Sequence, residues 1–557
     1  MRRVPRRWLR SVAGEYCLRF GGEPPRVYRT SWGLLLTSAA LLSVLALLAA
    51  LVALGRLPPP TSLRPPHVLV LAAMASAGAS GAATLAASLA PYFKLKAHFD
   101  ELEREGLWVA SVARFHAASN SPPLALFRAL AKSPFEAARR EAAAFLRLSA
   151  VEGELAALAK LLARVPRGAW YRLLRYVESV ALHGQDPEAA AEALYRTVES
   201  EYRARMERRA SELQALAVGS ASLFTLLPMT MLTMAAVMAS SASAPLAVAT
   251  TLVNGAAAVA VAALSSGVLG EGRVMTRRYL RCAPLALVPI ASLPALALSG
   301  LSVGESFTLL AAATVASLAL AALELRPQVR ALDELMEHTP LLLSDALVYM
   351  HQGMDLVSAL RGALEAGSYP EDFSELMRAL VSAASVSGFE GALSELEGLV
   401  QRPVFASLAL AAEASRAGSL AALSAVAEAL RDYRDAVLAL RERLGAVRVV
   451  FSAATAISVA LTGYILRFVA PALADVGARI SAAPAELRAA LPMEFLGPED
   501  LPGLKWLVCL TLFANVVVGA LAVGTVSSLR LAGGVRFALL VSAPTGLALS
   551  LLLLGVV

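Results

Sequence analysis

Charge is scarce in this chain. Of its 557 residues only 17% are Asp, Glu, Lys or Arg, while 57% are hydrophobic. A soluble globular domain carries about a quarter charged residues, so this composition excludes an ordinary soluble protein and is that of a membrane protein. Cysteine is nearly absent. Cys17, Cys282 and Cys509 lie far apart, which excludes a disulfide framework and reads as lone packing thiols. The six histidines show no H-E-x-x-H or other ligand spacing, so no metal site is expected. No G-x-x-x-x-G-K-[ST] loop occurs anywhere, and with it goes any phosphate-cradling nucleotide site of that type. If the chain is part of a machine, its energy comes from a partner. We expect no catalytic residue and no cofactor.

Two features could argue otherwise. GASG at Gly78 to Gly81 has the look of an intramembrane serine-protease motif, but that nucleophile needs a histidine base within hydrogen-bonding reach. His67 lies at the far end of the same apolar stretch, and His98, His116, His183, His338 and His351 fall in soluble segments. Small residues for close helix packing are the better reading. The net charge of +7 could hint at nucleic acid. Much of the excess borders apolar stretches, where positive-inside anchoring explains it, so no nucleic-acid partner is expected.

What is present is a series of long apolar runs. An arginine-rich segment (residues 1–30) precedes spans one and two (31–93), the first being Gly33 to Leu54 and the second about His67 to Phe93. A run of about twenty apolar residues crosses the hydrocarbon, longer than a signal peptide's core, so the first is expected to be an uncleaved span. A soluble helical insert follows (94–212), then spans three and four (213–269, about Leu213 to Ser240 and Leu246 to Leu269). A basic loop with Arg273, Arg277, Arg278 and Arg281 (270–282) leads to spans five and six (283–324, Ala283 to Leu298 and Phe307 to Leu323). A second soluble insert covers 325–447, and span seven (448–473) begins at Val449. An acidic loop (474–503) precedes spans eight and nine (504–557), which flank Arg530 and Arg536. The loop charges place the N-terminus and both inserts in the cytoplasm and the C-terminus outside.

The two inserts read as helical bundles. The last helix of the first has Asp186 as N-cap, Pro187 at its first position and Glu188 in its first turn. The last helix of the second is expected to start at Ser419. Its apolar stripe is Leu420, Leu423, Val426, Leu430, Tyr433, Val437, Leu440 and Leu444, with no breaker before span seven. The halves overlay with an offset of about 234 residues, a parallel duplication. LFRAL at Leu126 to Leu130 falls on LRGAL at Leu360 to Leu364, and ESVALHG at Glu178 to Gly184 falls near EASRAG at Glu413 to Gly418. In the second insert Gly353 precedes Asp355 and Leu356, and Gly418 precedes Ser419 and Leu420. Glycine there can end one helix in the left-handed conformation while Asp or Ser caps the next. The first copy is degenerate, with Ser119 and Asn120 where the second has Gly353 and Met354.

Those stretches, G-x-D-L-x-x-A-L and E-A-S-R-A-G-S-L, resemble the F-domain membrane proteins of type II secretion and type IV pilus systems. The two-copy, nine-span form looks most like the archaeal version, the platform of the archaellum or of archaeal pili. The resemblance covers about Phe93 to Val526. It implies a cell-membrane platform that docks a cytoplasmic hexameric secretion ATPase and passes pilin- or archaellin-like subunits to a filament, plausibly as a homodimer. The fold class expected is therefore an all-α polytopic membrane protein, about nine spans with two cytoplasmic helical bundles, duplicated in parallel.

Arg164, Arg167, Arg172 and Arg175 with Arg203 and Arg205 form the most basic zone of the first insert. It reads as membrane anchoring and lipid-headgroup contact, or as a docking face for an acidic surface of the ATPase. Gly353, Asp355, Leu356, Glu413, Gly418 and Leu420 read first as helix turns. The duplication also suggests a secondary transporter, which would place polar sites near mid-membrane; Asn254 is the main polar group the spans offer for one.

Overall fold

The computed structural model describes residues 12, 15–20, 89–119, 121–133, 135–237, 254, 301–396, 402–416, 419–481 and 501–555, with a few positions between 279 and 289. Among the described residues every regular element is a helix. The chain forms two compact units, residues 1–199 and 200–557.

The first unit follows a helical stretch over residues 89–104. Its helices are α1 (Gly106–Ala118), α2 (Leu126–Lys132), α3 (Glu136–Glu152), α4 (Glu154–Leu162), α5 (Ala169–His183) and the start of α6 (Pro187–Val237). Leu107, Phe127, Phe145, Leu161, Trp170 and Tyr195 fill its core and are almost wholly inaccessible. Phe127 stacks on Phe145 with ring centroids 3.9 Å apart and meets Trp170 edge-on at 6.2 Å. The N-termini of α3 and α5 have no cap of their own, since Phe135 and Gly168 precede them. Carboxylates brought from the break before α1 do that work. Glu105 accepts from the Ala138 amide at 2.8 Å, and Glu103 accepts from the Ala169 amide at 2.9 Å. Each carboxylate satisfies orphan donors at a positive helix end. At α6 the expected cap is present, with Asp186 accepting from the Ala189 amide at 3.1 Å.

A buried charge cluster lies in the same unit. Glu141 of α3 is ion-paired to Arg19 and bonded to His98 Nε2 at 2.9 Å, and both its neighbours are as inaccessible as it is. Burial pushes the Glu141 carboxyl upward, but the His98 hydrogen bond and the Arg19 charge outweigh it and hold the group below its ordinary value.

The second unit contains α6 from Ser200, then α7 (Val303–His351), α8 (Leu356–Ala366), α9 (Glu371–Leu396), α10 (Arg402–Arg416) and α11 (Leu420–Tyr464). A π-helical turn (Ile465–Val469) leads into α12 (Ala470–Ser481), and α13 (Leu501–Ser528) and α14 (Leu531–Leu553) follow. The helix α7 opens with a capping box, Ser302 and Glu305 bonding each other's backbone amides. It then runs through Pro327 and Pro340 without a break, so the expected sixth span passes directly into the soluble insert. The turn after it is as the sequence indicates. Gly353 has φ +89°, Asp355 accepts from the Val357 amide at 3.1 Å, and Leu356 is buried. In the first unit Ser119, at the matching position, is not left-handed (φ −92°, ψ 6°).

The helix α11 starts one residue after the expected position, with Ser419 as its cap accepting from the Ala422 amide at 3.2 Å. Its stripe from Leu423 to Leu444 is buried throughout, and only Leu420 at the first turn is partly exposed. Element boundaries in the two soluble inserts recur at a near-constant shift. The helix ends at Ala118, Lys132 and His183 and starts at Glu136, Ala169 and Pro187 match His351, Ala366, Arg416, Glu371, Arg402 and Leu420, each 233 to 235 residues later. Gly153, between α3 and α4, has φ +87° and ψ 157°. Gly388, which kinks α9, has φ +76° and ψ 159°.

Four helices are long and apolar enough to cross a membrane: α7, the continuous run Leu420–Ile480, α13 and α14. They carry the expected spans six to nine. Span three continues α6 as helix to Val237, and spans one, two, four and five lie almost wholly outside the described residues. The α13–α14 contact rests on glycines. A Cβ on Gly534 would come within 2.5 Å of the Leu521 carbonyl, and one on Gly524 within 2.8 Å of Gly534 Cα. Such close backbone approach is how helices associate in lipid. Within α13, buried Asn515 accepts from Asn254 Nδ2 at 2.8 Å.

Candidate docking surfaces

The six arginines of the basic zone do not form one patch. Helix α5 is amphipathic: Trp170, Leu173, Leu174 and Val177 turn inward, which leaves Tyr171, Arg172, Arg175 and Glu178 on the outer side. With the first turns of α6 they line an open groove of about 510 Å³. Arg175 donates to the Tyr171 hydroxyl at 3.2 Å and to Glu178 at 2.6 Å, so part of its charge is met locally. Tyr176 at the groove floor is pushed up to about 12, first by burial and then by the negative charge of Asp186, and stays a neutral donor. Arg164 and Arg167 are exposed in the α4–α5 connection, where Arg164 approaches Glu15 at 3.7 Å. Only Arg172 and Arg175 share a concave surface.

Arg203 and Arg205 belong to the second unit. Arg203 pairs with Asp432 of α11 at 3.1 Å, and one turn on, Glu207 pairs with Arg443 at 3.2 Å. Tyr202 and Tyr433 rings lie 6.4 Å apart between them. Residue numbers rise together along both helices, so α6 and α11 run side by side in the same direction. The two ion pairs have opposite polarity, an arrangement that fixes register. Asp432, Glu207 and Arg443 were not apparent as partners in the sequence. The available signal was the near-234-residue shift, which places the two helices in equivalent positions.

The turn residues are brought together in one respect. The helix α7 leads away from its apolar stretch and ends at His351, while α11 begins at Leu420 and leads back into one. The two pack antiparallel, Arg431 donating to Ser344 at 3.0 Å and Arg441 to Asp333 at 3.0 Å. Gly353, Asp355 and Leu420 therefore share the membrane-distal end of this pair. From Leu420 to Val449, at 1.5 Å per residue, that end stands about 44 Å from the apolar run. The Asp355 carboxyl there is held below its usual value, chiefly by the Ser358 hydroxyl and then by backbone amides. Glu413 is half-buried on α10, and Gly418 lies outside the described residues.

The chain matches no protein-family model, no curated protein and no solved structure.

Proposed function

We propose that this protein is the membrane platform of a filament assembly or secretion machine. It docks a cytoplasmic hexameric ATPase and carries its motion to a transmembrane bundle from which pilin- or archaellin-like subunits are inserted. One observation carries the reading: α11 is a single helix from a capped start in a soluble bundle into an apolar run, and α7 makes the same passage in reverse. A rod of 45 residues is about 68 Å long and transmits displacement without an intervening joint. The recurrence of element boundaries at a shift of 233 to 235 residues supports the parallel duplication. On that reading there are nine spans, a cytoplasmic N-terminus and inserts, and an external C-terminus. The chain performs no chemistry itself.

The docking surface on this reading includes the Arg172–Arg175 groove, and the membrane-distal turns around Gly353, Asp355 and Leu420 lie where a cytosolic partner reaches first. Arg172→Glu with Arg175→Glu reverses the groove's charge without touching the core. Co-purification with the candidate hexameric ATPase is expected to drop at least tenfold, with unchanged yield of the folded membrane protein. Wild-type co-purification by the double variant would remove the groove from the docking surface. Accessibility labelling of a cysteine placed at Asp355 tests the orientation; labelling from outside the cell would sink the proposal.

The Asn254–Asn515 pair is the one observation that favours a secondary transporter. It is a hydrogen-bonded interhelical contact, the ordinary use of amides between membrane helices. Saturable solute uptake into vesicles that Asn515→Leu abolishes would reverse this preference.

A further inference from the structure

Where the apolar helices leave the bundle, four arginines converge on one cavity of about 400 Å³. Arg441 and Arg448 come from α11, Arg530 caps the start of α14, and Arg536 lies one and a half turns further along it. A single carboxylate, Asp333 of α7, lines the same cavity. Arg530 and Arg441 both donate to its Oδ1, at 2.8 and 3.0 Å. Arg530 is almost wholly buried and also donates to the Val329 carbonyl at 3.2 Å. Arg448 bonds the Ser527 hydroxyl at the end of α13 and lies over the Phe537 ring at 5.9 Å. Arg441 Nε is buried with no hydrogen-bond partner among the described residues.

This basin is short of negative charge. Four guanidiniums face one carboxylate in a partly desolvated space, where like charges repel several-fold more strongly than in water. Guanidinium forks match the tetrahedral oxygens of a phosphate and hold it bidentately. The level is also right for a lipid. Val449 opens the apolar run immediately after Arg448, α14 begins one residue after Arg530, and Val329 lies within about two turns of Leu323, the end of the apolar stretch of α7. Basic pockets between membrane helices at this depth take anionic headgroups.

We propose that the Arg441–Arg448–Arg530–Arg536 basin is a phosphate-binding site, filled by the phosphodiester of an anionic lipid headgroup or by free phosphate. An anion seated there ties α7, α11, α13 and α14 together at the membrane surface. This site is independent of ATPase docking and does not rest on the platform reading.

The test uses the full chain, purified in a neutral detergent and delipidated. It is titrated with phosphatidylglycerol in mixed micelles, with a phosphate-free neutral glycolipid, and with inorganic phosphate. Binding is read by native mass spectrometry and by thermal shift. Wild-type protein is expected to bind phosphatidylglycerol saturably with a rise in Tm, and the glycolipid at least tenfold more weakly. Arg448→Gln with Arg536→Gln, both outside the most buried position, is expected to weaken phosphatidylglycerol tenfold or more. Arg467→Gln, an exposed arginine elsewhere on the same helical run, leaves it unchanged. Displacement of the lipid by millimolar phosphate identifies free phosphate as a competent occupant; failure to displace identifies the headgroup. Equal binding of glycolipid and phosphatidylglycerol, or an undiminished affinity in R448Q/R536Q, overturns the proposal. Should that variant not fold, the wild-type titrations decide alone.

Discussion

Glu141 illustrates what a single buried charge does here. Its carboxylate has no solvent contact and is held ionised by His98 and Arg19. Because its folded pKa lies below the ordinary 4.5, its contribution is complete above that value and is lost as pH falls through the lower, folded-state one. Acid unfolding of the first unit, followed by near-UV circular dichroism, is therefore expected below pH 4.5 and not between 5 and 8. Glu141→Gln leaves Arg19 buried beside a neutral amide and is expected to cost about 3–5 kcal/mol, visible as a lower urea midpoint. Capping shows how far such details can be read ahead. Asp186, Ser419 and Asp355 were legible because each caps the helix it immediately precedes. Glu103 and Glu105 were not, since the helices they cap begin 66 and 32 residues away. Gly168 has the same origin: a Cβ there would fall 1.6 Å from Glu103 Oε1, a constraint invisible from its neighbours.

At the scale of elements, helix–helix contacts divide into those the sequence announces and those it does not. The α11 stripe was readable because a 3.6-residue period reports burial whatever the partner is. The partner itself was not, and the Arg203–Asp432 and Glu207–Arg443 pairs join helices more than 200 residues apart. Both pairs are substantially exposed, so each is worth about 0.2–1 kcal/mol. Arg203→Asp is expected to lower Tm slightly, and adding Asp432→Arg to restore it; absence of rescue in that double variant would show that the pair does not set the register. The α13–α14 seam behaves differently because backbone meets backbone. Gly534→Ala forces its methyl against the Leu521 carbonyl, so the helices must separate, at a cost of about 1–3 kcal/mol as for other overpacked contacts. Thermal unfolding in detergent checks this, with Gly445→Ala, where the added carbon meets nothing, as the comparison.

For the whole molecule, the decisive property is continuity between soluble and apolar helix. Composition and loop charge predicted membrane spans, and periodicity predicted bundles, but neither revealed that α7 keeps its course through Pro327 and Pro340. Propensity argues for a break at each proline, and packing overrides it. If α11 is a transmitting rod, a hinge in its middle separates docking from output. Gly445→Pro removes a backbone donor where the helix leaves the bundle and is expected to kink it. ATPase co-purification should persist while filament assembly in cells falls by at least an order of magnitude. Retained assembly would show that stiffness is not required.

The π-helical turn at Ile465–Val469 has its own effect on this rod. An ordinary α-helix advances about 100° per residue, so contacts spaced four apart drift steadily around its circumference. The wider turn absorbs one additional residue, and Thr462, Leu466, Ala470 and Ala474, four apart in succession, all remain inaccessible. Excising one residue from this turn would regularise the helix yet swing everything beyond it by roughly a quarter of a revolution, so that the far end would present the wrong side to its neighbours.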